Sequence, residues 1–421
     1  MPTRWTPGLL LATTAALQEV LDFALPADVV LGNFFRIRRQ LGQRDRGLIA
    51  DMVYAMLRHR RWLEALSGTV TPRRMLLAAL VKLEGQPLGV MEHFAKQDEL
   101  PWLAQVKAAQ REGLPPAVRF DLPDWIYDRL IIEFTASEVE SLGRALQRPA
   151  PLDLRTNTFK TTREQAIERL RADGIECEPA RHSPTGIRLT QKPAINRHPL
   201  FESGAIEVQD EGSQLLAFLV APRRQDMVVD FCAGAGGKTL ALGAMMNSQG
   251  RLYAFDVSDK RLGNLRPRLK RSGLSNVFPQ RIAGSNDSHV KRLSGKVDRV
   301  LVDAPCSGLG TLRRNPDLKW RQTEADIAEM TTKQSEILNS AAKLVKPGGR
   351  LVYATCSLLQ EENQAVVEAF LAAQPGFHAI NACVALKPFG IDLDTGSYLR
   401  LRPDLHETDG FFAAVMERAK A

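Results

Sequence analysis

Five short apolar runs in the second half of the chain, MVVDFCAG, RLYAFD, NVFPQRI, VDRVLVDAP and GRLVYATC, are each separated from the next by helical or loop sequence. Apolar runs of strand length that alternate with helical sequence argue for a mostly parallel, doubly wound sheet. Residues 206–421 are therefore expected to form an α/β, Rossmann-like domain. In such a sheet the carboxyl ends of neighbouring strands share one crevice, and the chemistry of the chain is to be sought there.

The rest of the chain has a different texture. From Leu9 to about Leu146 apolar residues recur three and four apart with almost no alternation, which predicts an all-helical bundle over residues 1–147. In RDRGLIADMVYAMLRHRRWLEAL one stripe runs Leu48, Met52, Met56 and an adjacent one Ile49, Val53, Leu57, with Arg and His gathering towards the helix end. MLLAALVKLE and LPDWIYDRLIIEF give further helices, the second with Pro123 near its start. At RPAPLDLRTNTFKTT, Pro149 and Pro151 lead into the alternating Leu152 and Leu154, and EQAIERLRADG follows with helical period. A small α+β domain over residues 148–205 fits this pattern. Three domains also suit 421 residues at roughly 150 per domain.

No signal peptide or membrane span is read in the sequence, because the apolar start is broken by Thr and Gln and soon meets Glu19 and Asp22. The expected compartment is the cytoplasm, where five cysteines stay reduced and an important one is chemical. The formal charge of +8, with basic clusters at Arg36, Arg38 and Arg39, at Arg58 to Arg61 and at Lys260 to Arg271, suggests a polyanion partner. Solvated helix faces explain the same charges equally well.

The segment Val229-Asp230-Phe231-Cys232-Ala233-Gly234-Ala235-Gly236-Gly237-Lys238-Thr239 follows a strand and opens the helix TLALGAMM. Its glycines let backbone amides approach a ligand, and the helix start adds partial positive charge. A P-loop would need Gly where Cys232 stands, and a dinucleotide fingerprint would need Gly where Thr239 stands. The next strand ends in Asp256, about 20 residues after Gly236, where a carboxylate can accept hydrogen bonds from ribose hydroxyls. Together these features describe an adenosyl-cofactor site.

Two further strands end in Asp303-Ala304-Pro305-Cys306-Ser307-Gly308 and in Thr355-Cys356-Ser357. Strand-end placement predicts that Cys306, Cys356 and Asp303 converge beside the cofactor. Cys177 and Cys383 lack any such context and Cys232 lies at the entry to the glycine turn, so these three read as structural. Zinc is disfavoured because there is no C-x-x-C spacing and no paired histidine pattern, so no metal is expected. Acyl transfer by a Cys/His pair is disfavoured too, since no histidine lies near a predicted strand end.

The segments DFCAGAGGKT, VDAPCSGLGTLRRNPDLKW, YATCSLLQEEN and HETDGFFAAVM resemble the motif series of the Sun/Fmu family of ribosomal RNA cytosine-5 methyltransferases. RDRGLIADMVYAMLRHRR is similar to the NusB-like RNA-binding domain of the bacterial small-subunit member, and LDLRTNTFKTTREQAIERL with VQDEGSQL to the family's linker domain. The resemblance implies S-adenosylmethionine as cofactor and a cytosine in 16S ribosomal RNA as substrate. Cys356 is then the nucleophile that adds to carbon 6, Cys306 releases the methylated product, and Asp303 contacts the base near N3. The turn Cys232, Ala233, Gly234, Ala235, Gly236, Gly237 and Lys238 surrounds the methionine part, and Asp256 takes the ribose. Relatives usually carry an acid near the adenine where Ser285 stands here, so either Asp287, two residues on, takes that role or the adenine contact is remodelled around Ser285.

A paired base cannot offer carbon 6 to a thiol, so an unpaired or flipped cytosine is required. Arg155, Lys160, Arg313, Arg314 and Lys319 are candidates for phosphate contacts, and Trp320 for either stacking on a base or packing. The protein is expected to be a monomer, with RNA as its partner and no membrane. A transfer RNA or another ribosomal site as substrate, or a non-catalytic RNA-binding assembly factor, are the competing readings.

Overall fold

The computed structural model describes residues 5–284 and 287–420. Helical periodicity becomes helix throughout the first part of the chain: Pro7–Val20, Ala27–Ile37, Gln43–Arg58, Arg60–Ser67, Pro72–Lys82, Leu100–Ala108, Asp124–Glu133 and Ala136–Leu146, besides shorter turns. The starts are set by local chemistry. Thr6 accepts from Leu9 N, Thr71 accepts from Arg74 N ahead of Pro72, and Thr135 forms a reciprocal capping box with Glu138.

Both stripes of the third helix face inward, with Ile49, Met52, Val53, Met56 and Leu57 buried among Leu17, Phe34, Leu76 and Leu80. The run does not continue unbroken into RRWLEAL. It stops at His59, whose ring nitrogen lies 3.3 Å from Asp121 Oδ2, while the other oxygen of this buried carboxylate accepts from Trp62 N at 2.9 Å. Asp121 thus supplies a start for the helix Arg60–Ser67 that the periodicity alone does not reveal.

Contacts divide the chain into two units, Met1–Pro149 with Thr311–Thr323, and Ala150–Gly310 with Glu324–Ala421. The segment Thr311–Thr323 serves the helical unit as a cap. Trp320 donates its indole N–H to Leu57 O (2.9 Å), Lys319 Nζ donates to Arg58 O (3.0 Å), and Asp317 accepts from Ala27 N (3.2 Å). Two terminal carbonyls of one helix and an amide at the start of another are thereby satisfied. Lys319 is 3% exposed and Trp320 packs on the bundle core, so this lysine is a cap rather than a phosphate contact and this tryptophan packs rather than stacks. Much of the Arg58 to Arg61 cluster is also spent internally: Arg58 is buried, Arg60 pairs with Glu64 and Arg61 with Asp124.

The second unit carries two sheets. The small one is antiparallel, in the order β2-β3-β1-β4, from β1 (Leu152–Thr156), β2 (Cys177–Pro179), β3 (Gly186–Leu189) and β4 (Ile206–Val208). The helix Arg163–Ala172, started by a Thr162 capping box, covers it with Ala166, Ile167 and Leu170. Arg155 is 3% exposed here and donates to Gln209 at 2.6 Å, while Lys160 gives its ammonium to Ser203 O and Arg271 O. Both were phosphate candidates, and both turn inward to brace backbone and sheet.

The large sheet consists of β5 (Met227–Asp230), β6 (Arg251–Asp256), β7 (Val277–Arg281), β8 (Val297–Asp303), β9 (Val345–Thr355), β10 (Phe377–Ile380), β11 (Leu399–Leu401) and β12 (Phe411–Arg418). Its order is β10-β12-β9-β8-β5-β6-β7, with β11 also on β12. The strands from β9 through β8, β5 and β6 to β7 run parallel, as the five apolar runs require, and β7 tolerates Pro279 because it is an edge. FFAAVMER, for which no strand is expected from the sequence, adds β12 antiparallel to β9. No helix among the described residues is long and apolar enough to cross a membrane.

Candidate active site

The order of the sheet reverses between β5 and β8, because the chain winds outward through β6 and β7 on one side and through β9 on the other. That switch point opens a crevice at the carboxyl ends. β5 delivers Asp230 and the glycine turn, β8 delivers Asp303 and Cys306, and β9 delivers Cys356, with Asp303 in register with Ala354.

At the glycine turn, Gly234 has φ +55, and a Cβ there would point into open space, so the turn presents a bare concave side. Asp256 Oδ2 accepts from Gly234 N at 2.8 Å and Oδ1 from Ser258 N at 2.7 Å, so the acid that ends β6 shapes the turn. The helix Gly237–Met245 begins without a side-chain cap, leaving its first N–H groups directed at the turn. Asp230 is buried; Thr239 Oγ1 donates to its Oδ2 at 2.6 Å, while Oδ1 has no partner among the described residues. Burial pushes this carboxyl up to about 7. An open cradle of amides with a buried, half-satisfied acid beneath it fits a cationic, amide-binding cofactor fragment. Ser285 lies outside the described residues. Asp287 caps its own loop, accepting from Ala283 N, His289 N and His289 Nδ1, each at 2.8 Å. These three bonds, Ala283 N foremost, hold its carboxyl at about 2.

Cys306 Sγ and Cys356 Sγ stand 3.2 Å apart, and Cys356 N–H points at Cys306 Sγ at 3.3 Å. The Cys356 thiol beside it and burial together hold Cys306 well above an ordinary thiol. A second brace is Gly310 N, which donates to Cys356 O at 2.8 Å. Only glycine fits there, since a Cβ at 310 would come within 2.1 Å of Gly410 O. Cys232 is half-buried at the start of the glycine turn, and burial first, then Asp230 and Asp303, raise it well above its ordinary value.

Lys238 connects the two ends of the site. Its ammonium lies 2.6 Å from Asp303 Oδ2 and its side chain is 13% exposed. Burial alone would lower it, but Asp303, and after it Cys356 and Asp230, raise it above the ordinary lysine value. The chain thus keeps a lasting cation against the Asp303 carboxylate and near the Cys356 thiol, a role that the glycine-turn motif does not disclose. The sequence reading also misses Glu362, a buried carboxylate that accepts from Ser307 N (2.8 Å), Ser307 Oγ (2.5 Å), Gln334 Nε2 (3.0 Å) and Ser357 Oγ. The one signal it left is a serine after each strand-end cysteine. No group of three or more His, Cys, Asp or Glu among the described residues is placed to hold a metal ion.

Comparison with known proteins agrees with this architecture. The family model of 16S rRNA methyltransferase RsmB/F matches residues 217–417, and that of the RsmF/B-like methyltransferase ferredoxin-like domain matches residues 122–196. A relative from Synechocystis sp., named probable ribosomal RNA small subunit methyltransferase B, is 32% identical over 91% of this chain and 93% of its own. Among solved structures, the crystal structure of PH0851 superposes with TM-score 0.80 at 25% identity over 99% of this chain and 100% of that one. A methyltransferase homolog protein from Pyrococcus horikoshii gives TM-score 0.61 at 30% identity over 72% and 97%. With identity of this level over nearly the whole length, the chain belongs to the RsmB/F family of 16S rRNA methyltransferases.

Proposed function

We propose that this chain methylates carbon 5 of a cytosine in 16S ribosomal RNA through a covalent adduct between a cysteine and carbon 6. The observation that supports the reading is the pair of thiols 3.2 Å apart at neighbouring strand ends, beside the Lys238–Asp303 pair and next to an open amide turn. S-adenosylmethionine is the cofactor, and it supplies an electrophilic methyl group. The turn from Cys232 to Lys238 holds its methionine part. Asp256 holds the ribose, for an ionised carboxylate accepting two amide bonds still has lone pairs to offer.

Carbon 5 of cytosine is too weak a nucleophile to take a methyl group unaided. The Cys356 thiolate forms a bond to carbon 6, and the ring double bond supplies the electron pair at carbon 5 that accepts the methyl. Asp303 meets the N3 edge as charge builds there. The Lys238 ammonium, 2.6 Å from Asp303 Oδ2, keeps its proton and offsets that charge as a fixed cation. Transfer of the carbon 5 proton to a basic group or water re-forms the double bond between carbons 5 and 6, and the bond from carbon 6 to Cys356 breaks with its electron pair returning to the sulfur as thiolate. Cys306, in contact with the sulfur that must leave, assists this release. Residues 1–147 act as a NusB-like RNA-binding bundle, 148–205 as an α+β linker domain and 206–421 as the catalytic domain.

Bisulfite sequencing of ribosomal and transfer RNA, with and without the gene, tests the reading: one 16S cytosine loses its methyl mark. Unchanged 5-methylcytosine everywhere sinks it, and a lost transfer RNA mark moves the substrate. Cys356→Ala abolishes methylation, whereas Cys306→Ala accumulates a protein–RNA adduct that migrates slowly on a denaturing gel. The reverse behaviour exchanges the two roles.

A further inference from the structure

We infer that Glu362 is a positioning residue for methyl transfer: its buried carboxylate ties the loop of Cys306 to the loop of Cys356 and thereby sets the distance between the two sulfurs. The inference rests on the proposed roles of these thiols. Ser307 directly follows Cys306, and Ser357 directly follows Cys356. Glu362 Oε2 accepts from both serine hydroxyls, and Oε1 accepts from Ser307 N at 2.8 Å and Gln334 Nε2 at 3.0 Å. The same Gln334 nitrogen also donates to Pro305 O at 2.9 Å, which fixes the residue before Cys306. Tyr353 closes the arrangement from β9 with a hydroxyl bond of 2.6 Å to the Glu362 carbonyl.

A carboxylate facing only donors accepts all of them when ionised, and each bond to a charged acceptor is stronger than a neutral one. No neutral side chain of this size repeats the arrangement. Glutamine keeps one acceptor oxygen and turns an NH₂ group towards hydroxyls that already donate, so at least one loop is released. The charge also reaches the thiols: after the Cys356 thiol and burial, Glu362 is among the groups that hold Cys306 up as a protonated thiol. The carboxylate therefore fixes where the sulfurs stand and adds to what keeps the Cys306 thiol protonated.

Glu362→Gln tests this in the full chain with two readouts. The first is single-turnover methylation of 16S RNA, where kcat falls about 100-fold while KM for RNA stays within about twofold, because geometry at the reacting atoms is lost and RNA binding is not. The second needs no RNA: the rate at which iodoacetamide labels Cys306, read on its peptide across pH 7 to 10. Removing the charge lowers the Cys306 pKa, so labelling at pH 8 rises about tenfold. A lower melting temperature with an unchanged labelling profile overturns the proposal, because a merely structural carboxylate gives that result. So does a kcat within twofold of the natural protein. If Glu362→Gln does not fold, Ser307→Ala and Ser357→Ala each remove one tie, and kcat is expected to fall about tenfold in each at constant KM for RNA; two natural rates overturn the proposal equally. If the natural protein methylates nothing, the function proposed above fails, while the labelling profile still decides the role of Glu362.

Discussion

Lys238 and Lys319 are the same side chain, both largely withdrawn from solvent, yet their charges go opposite ways. Lys238 has Asp303 at 2.6 Å and is raised above the ordinary lysine value. Lys319 donates to a backbone carbonyl, and burial, followed by the charges of Arg58, Arg111 and Arg60, brings it down to about 7 despite Asp121. A carboxylate partner makes a buried lysine a permanent cation, whereas a carbonyl partner makes it a group that gives up its proton. The first arrangement lies beside the Cys356 thiol and the second caps a helix end.

Substitution by methionine breaks this comparison most directly. Lys238→Met keeps the length of the chain but leaves Asp303 without its cation. Methyl transfer to 16S RNA is expected to fall about 10²–10³-fold in single-turnover assays, with a melting temperature close to that of the natural protein. Natural activity in this variant removes Lys238 from the mechanism.

Asp230 sharpens the contrast from the acid side, since it is buried beside the same cluster without an ion-pair partner of its own. Its folded value of about 7 lies above the unfolded aspartate range near 3.9, so the folded protein holds the proton more tightly. The stability this confers is complete below about pH 4 and is lost as pH rises through 7, by roughly 2–4 kcal/mol. Asp230→Asn removes that slope and is more stable than the natural protein at pH 8. Denaturant midpoints at pH 5 and pH 8 measure it, and parallel curves for the two proteins contradict the assignment.

For Lys319 the window lies higher. The unfolded chain binds a proton up to about 10.4 that the folded chain has released above about 7, so stability rises with pH between those values. Lys319→Met is expected to flatten this rise by roughly 1–3 kcal/mol, read as a smaller gain in the denaturant midpoint of the helical unit from pH 7 to 9.5. Equal gains in both proteins show that a carboxylate, not burial, governs this lysine.

These residues also show how far the sequence could be read. The convergence of Asp303, Cys306 and Cys356 was legible, because strand ends in a parallel sheet are forced together by the direction of the chain. Lys238 was seen only as part of the glycine turn, for nothing in a linear motif says that its side chain crosses to the next strand. Glu362 was hidden for a different reason: Glu361 and Glu362 are adjacent, and only the packed loops decide which turns inward. Arg155, Lys160 and Lys319 looked like surface cations because their partners, Gln209, Ser203 and Arg58, are 43 or more positions away in sequence. The helical unit's use of Thr311–Thr323 has the same origin, since a polar stretch such as RRNPDLKW carries no mark of the helix end it caps.

Trp320 gives the smallest and most discriminating test of that cap. Its ring packs against the bundle core, and its indole N–H donates to Leu57 O at 2.9 Å, next to the Lys319 bond to Arg58 O. Phenylalanine keeps most of the apolar area but leaves the Leu57 carbonyl unpaired, so Trp320→Phe should lower the stability of the helical unit by about 1–2 kcal/mol. A ring that stacked on RNA would behave otherwise: stacking on phenylalanine preserves stability, and Trp320→Ala then weakens RNA binding in proportion to the lost face. Denaturation of the free protein therefore separates the two roles without any RNA present. Reduced stability in Trp320→Phe with unchanged RNA affinity keeps Trp320 with Lys319 as a helix cap, and unchanged stability with weaker RNA binding moves it to the substrate.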